Sequence, residues 1–289
     1  IGMNVINVIG NYLFIFGPFG IPVLGVDGVA ISTVVSRALG LVAMTFLLFR
    51  RIEEPLPFTK IFTFPSSHIK NLLKIGIPSA GEHLSYNTSQ ICITFFIIAM
   101  GTQALTTKVY AQNIMMFILL FGIAIGQGSQ ILIGQQIGAG KIEEAYKRCL
   151  KSLKFAILIS LLTAIAATLF SDQLLSIFTD NEEIIALGGT LILLTIILEP
   201  GRSFNLVVIS ALRAAGDVKF PVYMGILSMW GVAVTMSYIL GVHFGLGLVG
   251  VWIAFILDEW LRGIIMLFRW RSRVWVNKSF VKVEAKEAS

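Results

Sequence analysis

The sequence predicts an all-α membrane protein, a polytopic helical bundle, and three observations predict it. Hydrophobic residues make up 56% of the 289 and charged residues only 13%, where a soluble domain carries about a quarter charged. Mean hydropathy is +0.85. The apolar residues gather into eight long runs, and a helix needs about 20 of them to cross a bilayer. Backbone groups in lipid must bond internally, so the runs should be helices; the short alternating strands of a membrane barrel do not occur.

In order, the runs are residues 1–16, 28–49, 72–100, 105–138, 150–170, 184–211, 218–240 and 246–270. The first reads as cut short at its start. Two others exceed one crossing and are expected to tilt, kink or run past the membrane surface. Residues 50–65 are charged, hold Pro55, Pro57 and Pro65, and have no apolar period, which marks a linker. Segment 171–183 carries Asp172, Asp180, Glu182 and Glu183 without a base and is expected as an outer loop. No secretory signal is visible, since no basic stretch precedes the first apolar run.

Lys and Arg set the orientation. Eighteen of them fall in alternate loops: Arg50, Arg51, Lys60, Lys70 and Lys74; Lys141, Lys147, Arg148, Lys151 and Lys154; Arg213 and Lys219; and six in the tail from Arg269 to Lys286. The opposite loops hold only Lys108. The basic loops are therefore expected in the cytoplasm, along with the C-terminus, in a cell membrane. The net charge of +6 follows this alternation, so it argues against nucleic acid as a partner.

An internal echo bears on completeness. Residues 7–51 resemble 229–273 at a constant offset: Gly25 falls on Gly247, Gly28 on Gly250, Val29 on Val251, Leu39 on Leu261 and Phe46 on Phe268. Repeats of this kind mark many secondary transporters. Both copies start and end on the basic side, so the repeats are parallel, each of about six helices. Only the tail of the first copy is present and the chain opens on Ile1. The expectation is eight transmembrane helices of twelve. Residues 1–51 would be the last two helices of a truncated N-terminal lobe and 52–71 a cytoplasmic linker. Residues 72–275 would form a C-terminal six-helix lobe and 276–289 a polar cytoplasmic tail.

Ionisable groups within a span cost about 2.5–3.5 kcal/mol each on insertion scales, so each needs a reason. Glu82 is the leading candidate, because no Lys or Arg lies within a helical turn of it. Such a carboxylate can bind and release a proton, or hold Na⁺ with nearby oxygens; a carboxyl bonded across helices is the alternative. Ser85, Tyr86 and Ser89 share its face. His83 points elsewhere and reads as packing. Glu199 and Arg202 flank Pro200 and Gly201, which are expected to interrupt the helix and free carbonyls; a site there and a structural pair at a kink both stay open. Asp258 and Glu259 lie four and three residues before Arg262 and read as a structural intramembrane pairing. Gln112 and Asn113 are weaker candidates facing the same cavity as Glu82. Cys92, placed in a span, and Cys149, placed in a basic loop, read as unlinked thiols. No metal spacing links them to His68, His83 or His243, and no catalytic nucleophile–base pattern appears, so the chain is not read as an enzyme.

Four motifs carry a family resemblance over nearly the whole chain, to about Trp275. They are Lys74-Ile-Gly-Ile-Pro78; Gly134-Gln-Gln-Ile-Gly-Ala-Gly140 with Glu144-Ala145; Ala211-Leu-Arg-Ala-Ala-Gly-Asp217; and Gly247-Leu-Val-Gly-Val-Trp252. Together they resemble the second lobe of a multidrug and toxic compound extrusion (MATE) transporter, preceded by the last two helices of the first lobe. The resemblance implies export of cationic, amphipathic compounds by H⁺ or Na⁺ antiport, with alternating access of a central cavity and no cofactor besides the coupling ion. It implies small cationic substrates and membrane lipids as partners, and a monomer. Two positions depart from the family: the second-lobe acid of some members would fall near Tyr86, and an aspartate of the tenth helix near Arg202. The alternative is a lipid-linked precursor flippase of the same broad fold. Holding a pyrophosphate would need several cavity cations, and Arg37, Arg202 and Arg262 are few. Arg37 falls on Glu259 in the repeat, which raises a pairing between lobes.

Overall fold

The computed structural model describes residues 2–20, 22–51 and 66–278; the linker at 52–65 and the tail beyond 278 lie outside the described residues. It falls into two compact units, Ile1–Ile69 and Lys70–Ser289. Among the described residues the eight apolar runs are eight long helical segments.

The first unit is a helical hairpin. Helix α1 spans Gly2–Phe16 and α2 spans Gly25–Arg51. Polar groups stitch the pair: Asn7 Nδ2 donates to Thr33 Oγ1 at 3.2 Å and to Ser36 Oγ at 3.3 Å, and Ser32 Oγ donates to the Asn7 carbonyl at 3.1 Å. In lipid such bonds hold helices where apolar surface has no preference for a partner.

The second unit begins in α3 (Ser66–Ala99) and continues through α4 (Thr102–Gly138), α5 (Ile142–Leu169), a short α6 (Ser171–Ser176) and α7 (Glu182–Ala214). Then come α8 (Lys219–Ser228) and α9 (Gly247–Arg271), closed by a 3₁₀ turn at Val274–Lys278. Helix α8 runs on through π-helical turns at Met229–Val234 and Ser237–His243. Helix α7 packs against α4, α5 and α9, so it is the axis of the unit. Its start is capped by Asn181, whose Oδ1 accepts from the amides of Glu183 and Ile184.

Among the described residues, five helices are long and apolar enough to cross a membrane: α2, α4, α5, α7 and the whole of Lys219–His243. Helices α3 and α9 fall outside that set, and with α7 they carry most of the polar residues of the site below. Several local expectations change. Helix α7 is continuous through Pro200 and is not broken there. Segment 171–183 contains α6 and is not all loop. Helix α5 starts at Ile142, so its lysines and the buried Cys149 sit on a helix and not in a loop. Arg213 lies in the last turn of α7. Lys108, expected in an outer loop, is buried in α4, where its Nζ donates to Thr94 Oγ1 of α3 at 2.7 Å.

The internal echo has a physical basis in each unit. Gly25 and Gly247 open α2 and α9 with φ of 54° and 58°, a left-handed turn that a side chain resists. Three residues on, Gly28 and Gly250 sit where no Cβ fits. A Cβ on Gly28 would collide with Phe14, and one on Gly250 would lie 2.6 Å from the Leu240 carbonyl carbon. The amides of both glycines bond four residues back, to Leu24 and Leu246, at 3.4 Å. The neighbour of Gly250 is backbone and cannot swing aside. Gly250→Ala is therefore expected to cost about 1–3 kcal/mol and to lower the midpoint of heat-induced loss of the monodisperse peak; an unchanged midpoint would refute the close approach.

Candidate functional site

The charged residues of α7 and α9 meet in one chain of alternating sign. Positions 199, 202 and 205 of α7 share a stripe facing α9. The helices interlock through small residues. A Cβ on Gly201 would lie 2.6 Å from Trp260 Nε1, and one on Gly263 would lie 3.0 Å from the Phe204 ring. Phe204 and Trp260 meet edge to face at 5.9 Å, and Trp260 Nε1 donates to the Ile197 carbonyl at 2.9 Å. That bond lies in the turn before Pro200, which has no amide hydrogen to give to the Ile196 carbonyl.

Along the chain, Arg202 Nη1 donates to Glu199 Oε1 at 2.7 Å and Arg202 Nε lies 3.5 Å from Glu259 Oε1. Arg262 Nη2 reaches Glu259 Oε2 at 3.1 Å and Asp258 Oδ2 at 2.8 Å. Asn205 Nδ2 donates to Glu259 Oε2 at 2.8 Å. Ser228 of α8 donates to Asp258 Oδ1. Glu259, which the repeat sets on Arg37, is thus paired inside the second unit. Glu199 is fully buried, and among the described residues its Oε2 has no hydrogen-bond partner.

Glu82 is not without a cation. Arg213 of α7 reaches it from 131 residues away, Nη2 to Oε2 at 2.6 Å. A one-turn search along α3 does not see a neighbour helix. A Cβ on Gly225 of α8 would lie 3.3 Å from Glu82 Oε1, so the carboxylate sits in a notch left by that glycine. Three residues further along α3, Trp230 Nε1, in the π-helical turn after α8, donates to Ser85 Oγ at 2.9 Å. Because Arg213 is one-third exposed, its pair with Glu82 is worth no more than about 1 kcal/mol after solvent screening. Glu82→Arg and Arg213→Glu are each expected to lower heat resistance slightly, and the double exchange to regain most of it; a double variant no better than either single one would count against the pair.

A cavity of about 60 Å³ opens beside the network. Tyr86, Ser89 and Gln112 line one side and Arg202, Glu259 and Arg262 the other. Drug-sized ligands need about 300–1,000 Å³, so this space suits a few waters or a small cation. Asn113 is exposed on α4 and is absent from the lining. The residues that sequence reasoning missed are Arg213, Asn205, Ser228 and Trp260. Arg213 was visible as the lone arginine of the Ala-Leu-Arg-Ala motif but was counted as a loop charge. Asn205 was visible as one α7 turn beyond Arg202.

Residues 78–239 match the family model described as MatE. This chain belongs to the MATE family of transporters. It is a multi-pass membrane protein and not an enzyme. Among curated relatives it is 56% identical over 278 residues to the uncharacterized transporter YisQ of Bacillus subtilis, covering 96% of this chain and 61% of that protein. It is 27% identical over 274 residues to the probable multidrug resistance protein NorM of Pasteurella multocida, covering 92% and 59%. A crystal structure of a mutant of the Vibrio cholerae MATE transporter VcmN superposes with a TM-score of 0.81 at 20% identity, covering 96% of this chain and 62% of that one. At that identity the likeness is one of fold. The chain spans about three-fifths of the length of these MATE relatives.

Proposed function

We propose that the whole protein is a secondary active transporter that exports cationic, amphipathic compounds by H⁺ or Na⁺ antiport. Its domain plan is the one read above: residues 1–51 close a first lobe, 52–71 link the lobes, and 72–275 form a second lobe of six helices. It works as a monomer in the cell membrane with its C-terminus in the cytoplasm.

One observation carries the reading. Four carboxylates (Glu82, Glu199, Asp258 and Glu259) face three guanidiniums (Arg202, Arg213 and Arg262) in the network and its neighbour pair. The cluster has one negative charge in excess, and among the described residues the buried Glu199 Oε2 accepts no hydrogen bond. A proton or a small cation at Glu199 balances the count. Arg202 stands between Glu199 and Glu259, so loading Glu199 loosens one partner and strengthens the other. A group whose charge is shared across α7 and α9 can bias two arrangements of those helices, which antiport needs. Tyr86, Ser85 and Ser89 with Glu82 line the approach from α3. The excess of acid over base favours a cationic cargo over a pyrophosphate-linked one.

The test is efflux of ethidium from vesicles holding the whole protein, under an imposed H⁺ or Na⁺ gradient. Efflux that follows one gradient and stops when an ionophore collapses it is the expected result. No efflux with either gradient would turn the reading to the flippase alternative.

A further inference from the structure

Helix α5 presents two faces of different chemistry. Ala145, Cys149, Leu153, Ala156, Ser160 and Ala164 are buried at spacings of three and four, and these small side chains fix the rotation of the helix against its neighbours. The opposite face opens with Lys147, Lys151 and Lys154, all exposed and within about 10 Å along the axis. On the same stripe follow Phe155, Leu158, Leu162, Ile165 and Leu169, exposed by 55, 51, 54, 38 and 72%. That apolar stripe is about 21 Å long, longer than one leaflet of a ~30 Å hydrocarbon core.

The lysines are unopposed. Glu143 is held by Arg273 at 2.8 Å and Glu144 by Lys141 at 3.2 Å. Among the described residues none of the three lysines makes a salt bridge. The chain end holds this arrangement in place. Trp270 and Trp275 stack at 4.2 Å, Tyr146 stacks on Trp270 at 6.4 Å, and the Arg273 guanidinium lies 4.7 Å over the Tyr146 ring. Arg273 is therefore committed to Glu143 and Tyr146, and Glu143, four residues before Lys147, is taken up by Arg273.

We infer that the α5 stripe is a binding site for an anionic phospholipid, its headgroup phosphate on Lys147, Lys151 and Lys154 and one acyl chain along Phe155, Leu158 and Leu162. The unbroken passage from cations to apolar side chains on one exposed face is what selects a lipid over a soluble anion. The lysines are long enough to follow a headgroup at the interface while their stems lie on the apolar stripe.

A fluorescent phosphatidylglycerol titrated into the purified protein in detergent tests this, with phosphatidylcholine and inorganic phosphate as competitors. The wild type is expected to bind it, and the Lys147→Gln/Lys151→Gln/Lys154→Gln variant to bind roughly 100-fold more weakly. Arginine at the same three positions should restore binding. Equal displacement by phosphatidylcholine, full displacement by inorganic phosphate, or unchanged affinity in the glutamine variant would each overturn the site. The substituted side chains are exposed, and an unaltered elution profile reports that the variant is folded. Transport is not read, so the result stands apart from the antiport proposal.

Discussion

Replacing Arg262 by leucine is expected to be the most damaging single change in this protein's second unit. Its Nη2 serves both Asp258 and Glu259, and the residue is 8% exposed. Removal leaves two buried carboxylates, with Arg202 at 3.5 Å as the remaining guanidinium near Glu259 and Ser228 as the remaining donor to Asp258. Stripping one partner from a buried pair costs about 3–5 kcal/mol, mainly because the abandoned charge stays buried. For a unit of this size that is a fall of roughly 10 °C in the melting midpoint, read by size exclusion after stepwise heating. Neutralising the acids as well, with Asp258→Asn and Glu259→Gln on the Arg262→Leu background, should recover part of the loss. A single variant that melts within about 2 °C of the wild type would mean the network is solvated and not a structural core.

Glu199→Gln is expected to leave the fold intact and to abolish gradient-driven efflux, by roughly tenfold or more. Glutamine keeps the shape, and its carbonyl can still accept from Arg202, which donates to Glu199 Oε1 at 2.7 Å. What it removes is the odd charge. With three carboxylates against three guanidiniums the cluster is neutral in one fixed state, and an ion gradient has nothing to load. Exchange of ethidium down its own gradient should survive, which separates loss of coupling from loss of the protein. Glu82→Gln, by contrast, breaks the pair with the one-third-exposed Arg213 and should lower the rate without uncoupling it. The reverse pattern, with coupling lost at Glu82 and kept at Glu199, would move the exchangeable charge to α3.

Much of the architecture was legible because it rests on local patterns. Apolar runs of membrane length become helices wherever the backbone must bond to itself. The repeat was legible because glycine is needed at Gly25 and Gly247 for a left-handed turn and at Gly28 and Gly250 for close approach; chemistry with one solution leaves the same letter twice. The short-range pairs Glu199–Arg202 and Asp258–Arg262 were legible from helical spacing alone. Asn113 follows the cavity-lining Gln112 by one residue, about 100° around the helix, and is absent from that lining.

Pro200 was misread as a break, because a proline removes one bond and the sequence cannot show that Trp260 lies against that turn. Glu82 was misread as lacking a cation, because Arg213 is 131 residues away. From the sequence alone come the membrane class, the helices, the repeat and the family. Only the tertiary structure decided which acid is paired, which oxygen is left unbonded and how the arginines are shared. Those depend on how far each helix is rotated and where small residues let it approach its neighbour, and hydropathy, a property of one segment at a time, does not carry that information.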